Sequence, residues 1–204
     1  MARASRSTVV VMAGAEGITD AAVARRLIAE VATTADDVQG LKGKDDLLKR
    51  LPGFNQAARL SPWLVLMDLD QEECTPGVVK RLLPRPARLM SFRIVVRSIE
   101  AWLLADREGI AGFLGVASAR IPRDPDQLSN PKQDLVNLAR RSSRREIRTG
   151  LVPLPKSGRN VGEEYSLRLI EFANDSWRPA VAARTSESLR RCRERLRELV
   201  QEKT

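Results

Sequence analysis

Trp63-Leu64-Val65-Leu66-Met67-Asp68-Leu69-Asp70 is an apolar run that enters after Ser61-Pro62 and leaves through two carboxylates spaced i, i+2. Five consecutive apolar residues bounded by a turn signal read as a buried strand. Alternate strand side chains share a face, so Asp68 and Asp70 leave the strand on one side. Two carboxylates held together repel unless a cation neutralises them, which makes Mg²⁺ or Mn²⁺ the natural third party. A second run of this kind lies upstream, where residues 7–15 read as a strand that empties into Glu16-Gly17.

Working outward, strand and helix patterns alternate. Ile18 to about Thr33 has helical spacing, and Asp36–Leu41 reads as a turn with room for a short strand. A basic helix is predicted from Lys44 to Leu60, with Pro52-Gly53 expected to break or kink it. A short helix near Gly77–Leu83 ends at Pro84 and Pro86, and Phe92–Val96 is the next strand. It feeds a helix over Ser98–Asp106. Strands alternating with helices predict a parallel α/β sheet flanked by helices, with ligands at the strands' carboxyl ends. Past residue 116 the strand signals fade. Residues 131–149 read as a basic helix or helix pair opened by Asn130-Pro131, Leu151–Gly162 as a connector, and 163–174 and 185–201 as helices. The expected division is an α/β core over 1–116 and a mainly helical, basic extension packed on it over 117–204.

Composition bounds the function. The 204 residues are 43% hydrophobic and carry a net charge of +9, a balance that favours an acidic partner, nucleic acid first. From Arg140 onward sixteen Lys and Arg face nine Asp and Glu, so most of that excess is C-terminal. The chain contains no histidine, which excludes Ser-His-Asp and Cys-His catalysis, histidine zinc sites and a histidine general base. No phosphate-binding Gly-x-x-x-x-Gly-Lys-Ser/Thr loop occurs, so nucleotide hydrolysis is not expected of this chain alone. Cys74 and Cys192 are isolated, no run is long enough to span a membrane, and the basic start Met1–Arg6 lacks a cleavage site. A reducing cytoplasm is the expected compartment.

An Asp-x-Asp alone is weak evidence, because strand-end aspartates also cap turns. Here three strand ends carry acids. Glu16 follows the first, with Asp20 one helical turn later on the same face; Asp68 and Asp70 follow another; Ser98 and Glu100, again i, i+2, follow the last. Glu16, Asp20 and Asp68 would suit one ion and Asp70, Ser98 and Glu100 a second, roughly 4 Å away, as in two-metal phosphodiester cleavage. Glu16, Asp68 and Asp70 are the catalytic candidates.

Glu16 after the first strand and Asp68-Leu69-Asp70 after a later one resemble the TOPRIM domain of topoisomerases, primases and small nucleases. Glu16-x-x-x-Asp20 and Ser98-x-Glu100 resemble the overcoming-lysogenization-defect type nucleases. A further resemblance, spanning most of the chain, is to an uncharacterised bacterial TOPRIM-like family encoded beside a separate ATPase in phage-defence loci. Glu16-Gly17, Gly43-Lys44, Leu69-Asp70, the segment Glu100–Asp106 and Asn130-Pro131-Lys132 carry it. The resemblance implies a TOPRIM-like sheet, a site for two Mg²⁺ or Mn²⁺ ions, phosphodiester hydrolysis of DNA or RNA, and a separately encoded ATPase partner. The cation that would stabilise the phosphate in flight is open among Lys42, Lys44, Arg97 and Lys132, each equally readable as a surface charge. Topoisomerase chemistry needs a tyrosine nucleophile, and the single Tyr165 lies outside the α/β half.

Other features have plainer readings. Trp102-Leu103-Leu104 reads as core, and the helix Arg190–Glu198, with acids interspersed, as a solvated amphipathic surface. The cluster Arg140, Arg141, Arg144, Arg145 lacks acids and is balanced between phosphate contact and a solvated loop. The competing function is a non-catalytic module that binds nucleic acid or the ATPase. A phosphatase using Asp68 and Asp70 fits less well, since Gln71-Glu72 follows where Thr or Val is usual. Homo-oligomerisation is left open.

Overall fold

The computed structural model describes residues 9–31, 34–69 and 75–203, and Asp70, the second acid of the opening motif, lies outside them. The sheet has four parallel strands, β1 (Val10–Ala15), β2 (Thr34–Gly40), β3 (Trp63–Asp68) and β4 (Met90–Val95), in the order β2-β1-β3-β4. Helices α1 (Ile18–Ala29), α2 (Lys44–Ala57) and α3 (Thr75–Leu82) make the crossovers. The predicted α/β alternation is what folds.

Strand alternation sorts the core into two layers. Leu64 and Leu66 pack on one face with α1 residues such as Val23, Leu27 and Ile28. Trp63, Val65 and Met67 pack on the other with Leu47, Leu51 and Phe54 of α2. Asp68 shares parity with Leu64 and Leu66, so it leaves β3 on the α1 side.

Three local expectations change. The segment expected as a turn with room for a short strand is a seven-residue edge strand, β2, because β1 offers it a parallel ladder from Val10↔Thr34 to Ala15↔Gly40, with one register shift between Val11 and Ala13. Pro52 does not break α2, which runs through Ala57. Leu47 and Leu51 are buried on the sheet and Phe54 stacks on Trp63 with ring centroids 4.7 Å apart. That packing outweighs the ~3 kcal/mol an interior proline costs. The helix over 98–106 closes at Ala105 (α4, Ile99–Ala105), and a further helix, α5 (Arg107–Leu114), restarts at Asp106, whose carboxylate caps Gly109 N–H.

The C-terminal part is helical: α6 (Pro131–Ala139), α7 (Arg145–Leu151), α8 (Tyr165–Asp175), α9 (Pro179–Ala182) and α10 (Glu187–Lys203). Asn130 caps α6 by accepting from Gln133 N–H at 3.0 Å, with Pro131 at the first helical position. The basic stretch 131–149 is therefore a helix pair broken at residues 140–144. This region shares one apolar core with α1 and α4, through Leu169, Phe172, Trp177, Leu189 and Cys192. Trp102 is fully buried, and α10 buries Leu189, Cys192, Leu196 and Leu199 while Arg190, Arg191 and Arg197 are exposed. No helix among the described residues is long and apolar enough to cross a membrane.

Candidate metal centre

Register puts the acids on one edge. Ala15 pairs with Leu66, and Asp68 pairs with Val95, so Glu16, Asp68 and the β4–α4 turn all emerge at the carboxyl end of the sheet. Glu16 closes the gap between strands, its Oε1 accepting from the Asp68 backbone N–H at 2.9 Å. Gly40 is required here, because a Cβ would come within 3.0 Å of the Gly17 oxygen and the Ile18 Cα. The β2 end then turns through Leu41, whose N–H bonds the Ala15 carbonyl, and Gly43, whose N–H bonds the Glu16 carbonyl at 2.9 Å. Gly43 has φ +89°, which a side chain resists, and this turn, tied to the Glu16 carbonyl, carries exposed Lys42 and half-buried Lys44.

Asp20 stands one turn into α1, its carboxylate folded back over Gly17. Burial first, then backbone bonding working the other way, then the like charges of Glu100 and Glu16 and the opposing Lys132 ammonium set its acidity; the result is a carboxyl pushed up to about 7. Those neighbours show that the α1, α4 and α6 acids and cation share one field. Arg97, just past β4, holds φ +62°, a left-handed conformation uncommon for a residue with a Cβ, and it turns the chain into Ser98, which stands at the N-terminal boundary of α4 without its hydroxyl capping the helix.

Glu100 is the most enclosed member. It is 3% exposed, its Oε1 accepts from the Tyr165 hydroxyl at 3.0 Å, and the Lys132 ammonium lies 3.6 Å from the same oxygen. Its Oε2 and the Ser98 hydroxyl are buried with no hydrogen-bond partner among the described residues. Lys132 is in the first turn of α6, where the helix dipole disfavours a cation; Glu100 and Asp20 offset that. Burial, followed by the Glu100 charge, drives the Tyr165 phenol above its ordinary range, so it remains a donor.

Thus Glu16 joins Asp68, and Asp20 joins Glu100 and Lys132, all at one sheet edge. Among the described residues, no three acidic or cysteine side chains form a ready-made metal-holding group. The chemistry of the donors nevertheless fits a hard cation: carboxylates and a hydroxyl, with two buried oxygens unsatisfied. The Tyr165 bond to Glu100 is the contact that sequence reasoning missed, since a pairing across 65 positions leaves no local pattern.

Arg140, Arg141, Arg144 and Arg145 are all exposed. Their segment is pinned to the end of α5, with Ser143 N–H and hydroxyl donating to the Gly115 carbonyl and Arg144 donating to that of Phe113. On α10, by contrast, Arg190 pairs with Glu187 and Glu194, and Arg195 with Glu198 and Glu202. Comparison of the chain with protein-family models, curated proteins and solved structures finds no match.

Proposed function

We propose that this chain is a Mg²⁺- or Mn²⁺-dependent nuclease that hydrolyses phosphodiester bonds of DNA or RNA. In this reading it is the effector subunit of a two-component bacterial defence system, working with a separately encoded ATPase, and the TOPRIM resemblance belongs to the same proposal. What supports it is that acids from three separate strand–helix junctions emerge at one sheet edge, with Glu16 bonded to the Asp68 N–H, Asp20 in the field of both Glu16 and Glu100, and one buried Glu100 oxygen without a partner among the described residues. Structural surface acids have no reason to converge in this way, because mutual repulsion costs stability.

Glu16, Asp20 and Asp68 would hold one ion, and Asp70, Ser98 and Glu100 a second. Such ions, when bound, activate water and neutralise charge on the phosphate and the leaving oxygen. The remaining steps belong to the chain. Glu16 ties the end of β1 to β3 through the Asp68 N–H and so fixes the spacing between junctions. Lys132, with a side chain 54% exposed and its ammonium beside Glu100, is free to reach a non-bridging phosphate oxygen and stabilise the charge that grows there. Its ion pair with Glu100 sets it within the acid cluster. Arg140, Arg141, Arg144 and Arg145 bind flanking phosphates without reading sequence.

Cleavage of labelled single- and double-stranded DNA and RNA tests this, with Mn²⁺ or Mg²⁺, nucleotide and the cognate ATPase present. Wild-type protein is expected to cleave, and Asp68→Ala and Glu16→Ala each to lose on the order of a hundredfold or more while keeping the wild-type circular dichroism. Cleavage surviving both substitutions places the centre elsewhere. Wild-type protein inert on every substrate leaves the binding-module reading.

A further inference from the structure

We propose that Tyr165, the first residue of α8, is a positioning residue for Glu100, so that the helical C-terminal region completes the site instead of merely covering the sheet. The inference rests on the metal-site reading above. Two oxygens of one buried carboxylate are treated differently. Oε1 is held by the Tyr165 hydroxyl at 3.0 Å and faced by the Lys132 ammonium at 3.6 Å; Oε2 is as deeply buried and has no protein donor among the described residues. Clamping one oxygen fixes the rotation of the carboxylate and leaves the other aimed for a cation, which is how outer partners orient metal ligands.

The ring of Tyr165 is part of the apolar core, and a phenylalanine would fill the same space. The hydroxyl is the addition that needs a reason, because burying it beside a carboxylate is unfavourable unless the two are bonded. The helix that carries Glu100 is also braced from the C-terminal side. Trp102 Nε1 donates to Ser188 Oγ at 2.8 Å, Trp177 Nε1 to the Trp102 carbonyl at 3.2 Å, and Thr185 Oγ1 to the Ala105 carbonyl at 3.2 Å. Asp106, fully buried at the end of that helix, accepts from the Arg178 backbone and guanidinium. Residues 165–188 therefore hold both the position of α4 and the orientation of its acid.

Tyr165 is the sole tyrosine, so a ring-carbon NMR label at tyrosine reports on it alone in the full chain. Titrating wild-type protein with Mg²⁺ is expected to shift that signal with the midpoint of Mg²⁺ binding measured by calorimetry, and to leave it unmoved in Glu100→Gln. Tyr165→Phe is expected to melt as wild type does yet bind Mn²⁺ about tenfold more weakly. On the Glu100→Gln background the same change should cost nothing further. A signal indifferent to Mg²⁺ that the protein demonstrably binds overturns the inference, as does Tyr165→Phe binding Mn²⁺ like wild type. Should Tyr165→Phe fail to fold, the wild-type titration decides alone. Wild-type protein that binds neither ion removes the metal-site reading and this inference with it.

Discussion

Asp20 is held among groups that oppose its charge. Its carboxyl, pushed up to about 7 mainly by burial, binds a proton in the folded state that the unfolded chain has already released. The folded protein therefore carries the extra proton between about pH 4 and pH 7, and stability falls as pH rises through that window. Asp20→Asn is expected to be more stable than wild type above pH 7 by roughly 1–3 kcal/mol, with the gain vanishing toward pH 4. Urea denaturation at pH 4 and pH 8 checks this, and an equal difference at both would contradict it. At this scale much was legible. Acids directly after apolar runs put Glu16 and Asp68 at strand ends, and the structure brings the two together at one sheet edge. Tyr165 was not legible, since its role depends on how α8 docks against α4, which no spacing in the sequence encodes.

Among the elements, α6 links the two charged regions. Lys132 lies in its first turn beside Glu100, while Arg140 and Arg141 follow its last, exposed and without carboxylate partners among the described residues. A nine-residue helix spans about 13 Å, or two to four nucleotide steps, a fitting distance between a scissile phosphate and its flank. Replacing Arg140 and Arg141 by Glu is expected to weaken nucleic-acid binding and to reduce the slope of log affinity against log salt by about 2. Arg190→Glu on α10, where the guanidinium is tied to Glu187 and Glu194, should change neither. Anisotropy titrations across a salt series measure both, and equal effects would show that the 140–145 cluster is only solvated. Element types followed from periodicity, as for α1 and β3. The exceptions, β2 and the uninterrupted α2, were settled by neighbours: a ladder offered by β1, and the stacking of Phe54 on Trp63.

For the molecule as a whole, the strand order β2-β1-β3-β4 sets β1, β3 and β4 in one row, so their outgoing turns share an edge. The sequence implies a parallel sheet but not this order, and it is the order that brings Glu16 to Asp68 and Asp20 to Glu100. The helical region was legible as helices and as basic, yet not as a wall of the site, because the burial of Trp102 and Trp177 in one shared core is a property of tertiary packing. The central claim is that acids from three junctions act as one divalent-cation site. Calorimetric titration of Mn²⁺ into the full chain tests it most directly, comparing wild type with Glu16→Ala on the β1 side and Glu100→Ala on the β4 side. Wild-type protein is expected to bind Mn²⁺ saturably, with affinity reduced at least about tenfold by either substitution, since each removes a ligand from a shared centre. Absence of binding in wild type, or binding untouched by both substitutions, would contradict the claim.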